Sequence, residues 1–353
     1  MMKRVGIDQI LGVEKIVKDI CLSNGTILLP AGSIIKKEYI RYLKNLNINE
    51  VYIEDTVDIQ MDSVIENIIQ EECKEIVKTT IEKYSYCGNV ELKDITEAAD
   101  NILNEIIRES EVMYNISMVR EKSESTYAHS VNVAALAVFL SLRMQLKEER
   151  IRNIAIGALL HDLGILYLPF DYSNINYDLC DEETKKEIKK HVITGYSSVD
   201  KEEWIPSVSK EIILSHHERD DGSGYPMRLT KDKISLETKI VSLCDEFDSL
   251  VYGNLKTKLK VHDAIDYIIS QAGTKFNHKI VRKFVESVAA YPVGTYVITN
   301  ENEIGVVLRQ NKNLPTRPVI RMIEDAHGQY YTTIVEKDLT KELTLFIQDA
   351  LTE

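Results

Sequence analysis

The stretch His216-His217-Glu218-Arg219-Asp220-Asp221-Gly222-Ser223-Gly224-Tyr225-Pro226 decides the reading of this chain. Adjacent imidazoles followed by a glycine-rich turn and a Tyr-Pro pair read as a metal site beside a tight loop. Upstream, Leu160-His161-Asp162-Leu163-Gly164 sets a second imidazole next to a carboxylate at a helix end. Two such pairs in one chain predict a single dinuclear centre.

Working outward, the polar candidates recur at a steady interval: His129, His161 with Asp162, His191, His216 with His217, then Asp245, in steps of 32, 30, 25 and 29 residues. Such a step covers a helix, a loop and part of the next helix, so each group falls on a successive helix of a bundle and faces a common centre. The apolar periodicity agrees. His129 shares a face with Val133, Leu136 and Leu140; His161 follows Ile154, Gly157 and Ala158; His216 and His217 follow Ile212 and Ile213 by one turn. One histidine on an apolar face is ordinarily a hydrogen-bonded core residue. Seven coincident inward groups, two of them carboxylates, are too costly to bury without a compensating cation. Imidazoles and carboxylates without thiolate suit iron, manganese or another borderline divalent metal, and Asp162 is the natural bridging carboxylate.

The flanks lack such chemistry. With 353 residues and 44% apolar composition the chain is long enough for two or three domains with real cores. Its formal net charge of -13 argues against a polymeric nucleic acid partner, whose phosphates are met by lysine and arginine, and leaves a small charged ligand open. Five cysteines, Cys21, Cys73, Cys87, Cys180 and Cys244, are widely spaced and form no CxxC pair, which predicts reduced thiols. Charge interrupts the N-terminus too early for a signal h-region, and no run of about eighteen apolar residues occurs, so a soluble cytoplasmic protein with no membrane partner is expected.

Residues 1–57 read as a small α+β module: Asn24-Gly25 signals a hairpin between Ile16 to Leu22 and Thr26 to Leu29, Lys37 to Leu46 is an amphipathic helix, and Val51 to Ile53 closes the module as a strand. Residues 58–122 are long, charged and helical with a break at Cys87-Gly88-Asn89. They read as a connector that either mediates a homodimer or packs on the next domain. Residues 123–290 are helical with histidines on apolar faces and form the working domain. Residues 291–353 carry short β-prone segments, Thr295 to Ile298, Ile304 to Leu308, Val319 to Met322 and Tyr330 to Val335, and predict a small β-rich module.

His129-Ser130, HDLG at 161 to 164, His191 followed by Gly195, HHE with DGSGYP, Asp245, and GTKF at 273 to 276 together resemble the HD-GYP family. The resemblance implies a mostly α fold, an HD-type helical bundle metallohydrolase core flanked by the two small modules. It also implies hydrolysis of cyclic di-GMP to pGpG, GMP or both by a hydroxide held between two metal ions, with His161 and Asp162 as catalytic residues. One metal would be held by His129, His161, Asp162 and Asp245, the second by Asp162, His191, His216 and His217. Gly224, Tyr225 and Pro226 would line the substrate, and Glu218 would orient a histidine.

Four positions depart from the family pattern, one of them Asp220, which replaces the aromatic or bulky residue common before the DG turn. Ile165 stands where lysine usually follows the HD-x-G tetrad, and restoring the cation with Ile165→Lys is expected to raise the rate. Downstream of Asp245, where relatives carry an arginine and a tyrosine, Lys256 and Lys258 are the candidate phosphate contacts. Ser125 replaces a glutamate that helps hold a third metal in some relatives, so two metals are expected, with Glu124 an outside candidate for a third. The alternative is a catalytically weak or inactive HD-GYP protein that signals through nucleotide and metal binding. A di-iron helical protein without hydrolysis is a third reading, which leaves the GYP turn without a purpose.

Overall fold

The computed structural model describes residues 2–7, 10, 14–22, 26–46, 48–54, 67–87, 94–108, 126–170, 175–253, 257–311 and 314–351. They fall into two compact units, one of Asp62–Pro292 with Gln310–Thr316, the other of Met1–Met61 with Val293–Arg309 and Arg317–Glu353.

In the second of these units, β1 (Met2–Gly6) is followed by β2 (Ile20–Cys21), β3 (Ile27–Leu29), α1 (Lys37–Asn45) and β4 (Glu50–Glu54). β2 and β3 pair antiparallel, as the expected hairpin requires, although Asn24 and Gly25 lie outside the described residues. β4 pairs antiparallel with β1, a strand that the sequence reading did not include. Ile7, Ile16, Ile20, Ile35, Leu43 and Val51 form the small core beneath them.

The helical unit contains α2 (Asn67–Cys87), α3 (Asp94–Arg108), α4 (Thr126–Arg143), α5 (Glu148–Leu160), α6 (Glu182–Lys189), α7 (His191–Val199), α8 (Ser207–Ser215), α9 (Leu236–Tyr252), α10 (Val261–Ser270) and α11 (His278–Val285). α2 and α3, within the segment read as a connector, pack on each other and on α4, and α3 also packs on α5. Val77, Ile81, Ile95, Ile102 and Ile106 supply the buried faces. α4 is buried continuously from Ala128 to Ser141 and α9 from Ile240 to Val251, so both are covered on all sides over these stretches, as the central helices of a bundle must be. The α9 boundaries follow from its ends. The Ser235 hydroxyl accepts from the Thr238 amide at the N-terminus, and Gly253 takes the left-handed conformation, φ 73°, at the C-terminus.

Close approach between helices sets where the histidines point. A Cβ on Gly157 would come within 2.7 Å of the Ile212 side chain, so α5 and α8 meet at a position open to glycine alone, one turn before His161 and His216. A Cβ on Gly164 would lie 1.9 Å from the His191 carbonyl oxygen, and one on Gly195 3.1 Å from the Gly164 amide nitrogen. The turn after Asp162 is thereby pressed against α7.

The remaining strands, β5 (Tyr296–Thr299), β6 (Ile304–Arg309), β7 (Val319–Glu324), β8 (Tyr330–Asp338) and β9 (Ile347–Ala350), form one antiparallel sheet in the order β8-β7-β6-β5-β9. Four match the β-prone segments read from the sequence. β9 was not foreseen, because Ile347-Gln348-Asp349-Ala350 has neither β-branched enrichment nor a clear alternation and is held by its pairing with β5. No helix among the described residues is long and apolar enough to cross a membrane.

Gly164→Ala forces a methyl group into the His191 backbone. It is expected to lower folding stability by about 1–3 kcal/mol, the range for overpacking a filled interior, measured by denaturant unfolding of the full chain, and to reduce metal content with it.

Candidate metal centre

Five elements deliver the candidate ligands. α4 carries His129 on its first turns, His161 and Asp162 follow the end of α5, His191 opens α7, His216 and His217 follow the end of α8, and Asp245 sits midway along α9. All are buried except His217, which is 22% exposed at its side chain. Tight turns at helix ends let consecutive residues face one centre, which is why two of the pairs lie there and not mid-helix.

Asp162 is the hub. Its Oδ1 faces His191 Nε2 at 3.5 Å and His216 Nε2 at 3.8 Å, while Oδ2 faces His161 Nε2 at 3.4 Å and His129 Nε2 at 3.8 Å. Asp245 splits its oxygens in the same manner. Oδ1 lies 3.1 Å from His129 Nε2 and 3.8 Å from His161 Nε2, and Oδ2 lies 3.7 Å from His217 Nδ1. Two ligand sets result, each with donor atoms within 4.8 Å of one another: Asp162, His191, His216 and His217, and His129, His161 and Asp162. Asp245 borders both.

The outer nitrogens are anchored to backbone. His161 Nδ1 donates to the Ala158 carbonyl at 2.7 Å, His191 Nδ1 to the Ile188 carbonyl at 2.6 Å, and His216 Nδ1 to the Ile213 carbonyl at 3.1 Å. A donating Nδ1 leaves Nε2 with its lone pair directed inward, the tautomer a cation requires. His161 Nε2 is buried and has no hydrogen-bond partner, so a polar atom of this cluster is satisfied only by a group placed at its centre. The donor set and this orphaned nitrogen fit a divalent metal.

Charge is divided unevenly. Burial lowers the histidine pKa values throughout, but at His129 hydrogen bonds to Asp245 and Asp248 outweigh it and push the value up to about 10. At His161 burial is likewise outweighed, by Asp162. His191 and His217 are lowered by burial, and His216 falls to about 3 for the same reason, with neighbouring imidazoles adding to the effect. Burial works against the charged form of Asp162 and Asp245, yet the imidazoles around them hold both carboxyl groups well below the usual range. The cluster therefore keeps two anionic carboxylates and three neutral imidazoles ready to ligate.

One partner escaped the sequence reading. Asp248, one turn beyond Asp245 on α9, accepts from His129 Nδ1 at 2.6 Å and is 4% exposed. The Asp-x-x-Asp spacing on a single helix face carried that signal. Glu218, expected to orient a histidine, does something else: its Oε1 accepts from the Met227 amide at 2.7 Å and its Oε2 from the Leu229 amide at 2.8 Å. A carboxylate adjacent to the ligand pair thus clamps the far side of the Tyr225-Pro226 turn.

Within that turn, a Cβ on Gly224 would lie 2.5 Å from both Glu218 Cα and the His217 carbonyl oxygen, so the strand after Gly222 crosses directly over the ligand turn. Tyr225, joined to Pro226 by a cis peptide bond, stacks on His217 with ring centroids 4.7 Å apart and 25° between planes. Lys256 lies outside the described residues, as do Glu124 and Ser125. Lys258 is exposed on the segment that returns to α9, where the Leu259 amide donates to the Leu250 carbonyl. Ile165 is 7% exposed and packs in an apolar cluster with Ile188, Leu168, Phe170, Ile175 and Tyr177.

Residues 111–280 match the family model described as an HD domain, and residues 296–353 match a KOW domain associated with HD domains. A cyclic di-GMP phosphodiesterase of Pseudomonas aeruginosa is 28% identical over 235 residues, which is 66% of this chain and 56% of that protein. A cyclic di-GMP phosphodiesterase of Borreliella burgdorferi is 29% identical over 55% of this chain and 51% of its own length. A 3'3'-cGAMP-specific phosphodiesterase of Vibrio cholerae is 29% identical over 64% of this chain and 43% of its own length. The chain spans about half the length of these relatives. The solved structure of an HDG"Y"P protein from Bdellovibrio bacteriovorus superimposes with a TM-score of 0.50 at 17% identity, covering 80% of this chain and 98% of that one, a likeness of fold.

Asp248→Ala removes the acceptor that fixes His129 and is expected to weaken metal binding about 10- to 100-fold, read by competition with a chelating indicator. Ile165→Lys is expected to lower stability by roughly 1–3 kcal/mol, because it sets an ammonium in an apolar cluster. Denaturant unfolding checks the sign.

Proposed function

From the match of residues 111–280 to the HD domain family model, we infer that this chain is a metal-dependent phosphodiesterase that hydrolyses cyclic di-GMP to pGpG, GMP or both. One observation carries the reading: the two oxygens of Asp162 face two different sets of imidazoles inside one buried cluster. That arrangement supports two divalent cations, one on His129, His161, Asp162 and Asp245 and one on Asp162, His191, His216 and His217. Iron or manganese suits such nitrogen and oxygen donors. When bound, cations so placed neutralise charge on phosphoryl oxygens and activate the attacking water.

The chain's own residues do the rest. Asp162 and His161 hold the reacting centre, and Asp248 and the Ala158, Ile188 and Ile213 carbonyls keep the imidazoles turned inward. Gly224 lets the turn cross the site, and Tyr225 with Pro226 forms a wall beside His217 against which a base can stack. Lys256 and Lys258 remain candidates for phosphate contact. The relatives named above act on cyclic di-GMP or 3'3'-cGAMP, which supports a cyclic dinucleotide as substrate. A cytoplasmic setting agrees with that substrate class, and the charged helical segment 58–122 is a candidate for homodimerisation.

A second reading has its own observation. The apolar side chain of Ile165 leaves no cation directly after the HD-x-G turn, which favours a protein that binds the nucleotide and signals without turning it over.

Protein loaded anaerobically with iron or manganese is expected to convert cyclic di-GMP to pGpG or GMP, resolved chromatographically. Asp162→Ala is expected to lose bound metal and all turnover, since one carboxylate serves both sets. Full metal loading without any product would move the protein to the second reading, and unchanged turnover in Asp162→Ala would refute the bridge.

A further inference from the structure

The geometry points to Lys189 as the residue that meets a phosphate of the bound cyclic dinucleotide. This rests on the phosphodiesterase reading above.

The argument runs through the junction of α6 and α7. α6 ends at Lys189 and α7 opens at His191, with Lys190 between. Ile188 serves this junction twice: its carbonyl accepts from His191 Nδ1 at 2.6 Å, and its side chain, 2% exposed, packs on Ile165. An apolar residue at 165 thus anchors the end of α6. The next residue, Lys189, places its Nζ 5.4 Å from the centroid of the Tyr225 ring, which itself stacks on His217. An ammonium is thereby brought to the wall of the metal centre by a neighbouring helix.

Other cations nearby are already engaged. Arg219 donates to the His216 and Glu218 carbonyls, to Ser242 Oγ and, at 2.9 Å, to Glu246, and its side chain is only 11% exposed. Lys185 and Lys190, on and just beyond α6, close on Glu182 and Glu187, and Lys239 pairs with Asp220. Among the described residues Lys189 meets no carboxylate. An ammonium held at an aromatic ring keeps its remaining hydrogens for an oxyanion, and a cyclic dinucleotide seated at the metal centre beside Tyr225 would present one. Because this contact lies away from the ligand atoms, it should bind substrate and transition state alike and act on KM, leaving kcat alone.

The test uses the full-length, manganese-loaded protein with cyclic di-GMP, comparing wild type, Lys189→Met and Lys189→Arg in turnover and in equilibrium binding at two ionic strengths. Lys189→Met is expected to raise KM by about tenfold, the weight of one charged hydrogen bond, with kcat and metal content held. The salt dependence of binding should shrink and Lys189→Arg should recover most of the affinity. Wild-type turnover with KM unchanged in Lys189→Met overturns the assignment alone, and so does a loss confined to kcat and metal content. Binding weakened by Lys189→Met in a protein that turns nothing over refutes the hydrolase reading and leaves the lysine in place. Neither binding nor turnover in wild type overturns both.

Discussion

Everything in the helical unit answers to one constraint, the burial of the Asp162 carboxylate among four imidazoles. An isolated carboxylate in an apolar interior would take up a proton to escape the desolvation cost. Here it stays ionised because His161, His191 and His129 surround it, and because a site at its centre is shaped for cations. Surrounding one carboxylate from every side requires α4, α5, α7 and α8 to converge. The glycines at 157, 164 and 195 are where that convergence is steric fact, since a methyl at any of them meets a neighbouring helix or turn.

The two halves of the centre differ in readiness. On the side of His191, His216 and His217, burial already keeps the imidazoles neutral, so a cation binds there without displacing protons from them. On the other side, hydrogen bonds to Asp245 and Asp248 push the His129 pKa up to about 10, so a cation there would have to displace a proton. Metal affinity on that side accordingly strengthens as pH rises, because protons and metal compete for one nitrogen. Asp248 has a double part: with metal absent it stabilises the imidazolium, and with metal present it holds the ring in place and makes Nε2 more basic.

What could be read from the sequence was whatever depends on local spacing. The seven inward groups, the pairing of β2 with β3, the α1 helix and four strands of the C-terminal sheet all follow from periodicity or turn chemistry within a few residues. β1 and β9 were missed because each is defined by its partner strand and not by its own pattern. Glu218 was misassigned for the same reason: adjacency to His217 suggested a histidine partner, while the real acceptor role needed the chain to fold back through Gly222 and Gly224 and present Met227 and Leu229 amides. Ile165 was read as a missing charge, when its side chain has a positive function in packing against Ile188.

The HHERDDGSGYP run therefore has more than two parts. Arg219, between the ligands and the turn, donates to the carbonyls of His216 and Glu218 and reaches across to Ser242 and Glu246 on α9, the helix that carries Asp245 and Asp248. Its guanidinium also lies over the Phe276 ring, 5.2 Å from the centroid. A planar fork of donors can satisfy several carbonyls and a carboxylate at once, which a lysine cannot. Ligand turn, Tyr225 turn and α9 are thus locked by one side chain. Displacing any of the three would strand the buried charge of Arg219 or Glu246, at a cost far above that of a surface pair. The metal centre and the Tyr225 wall hold together as one element.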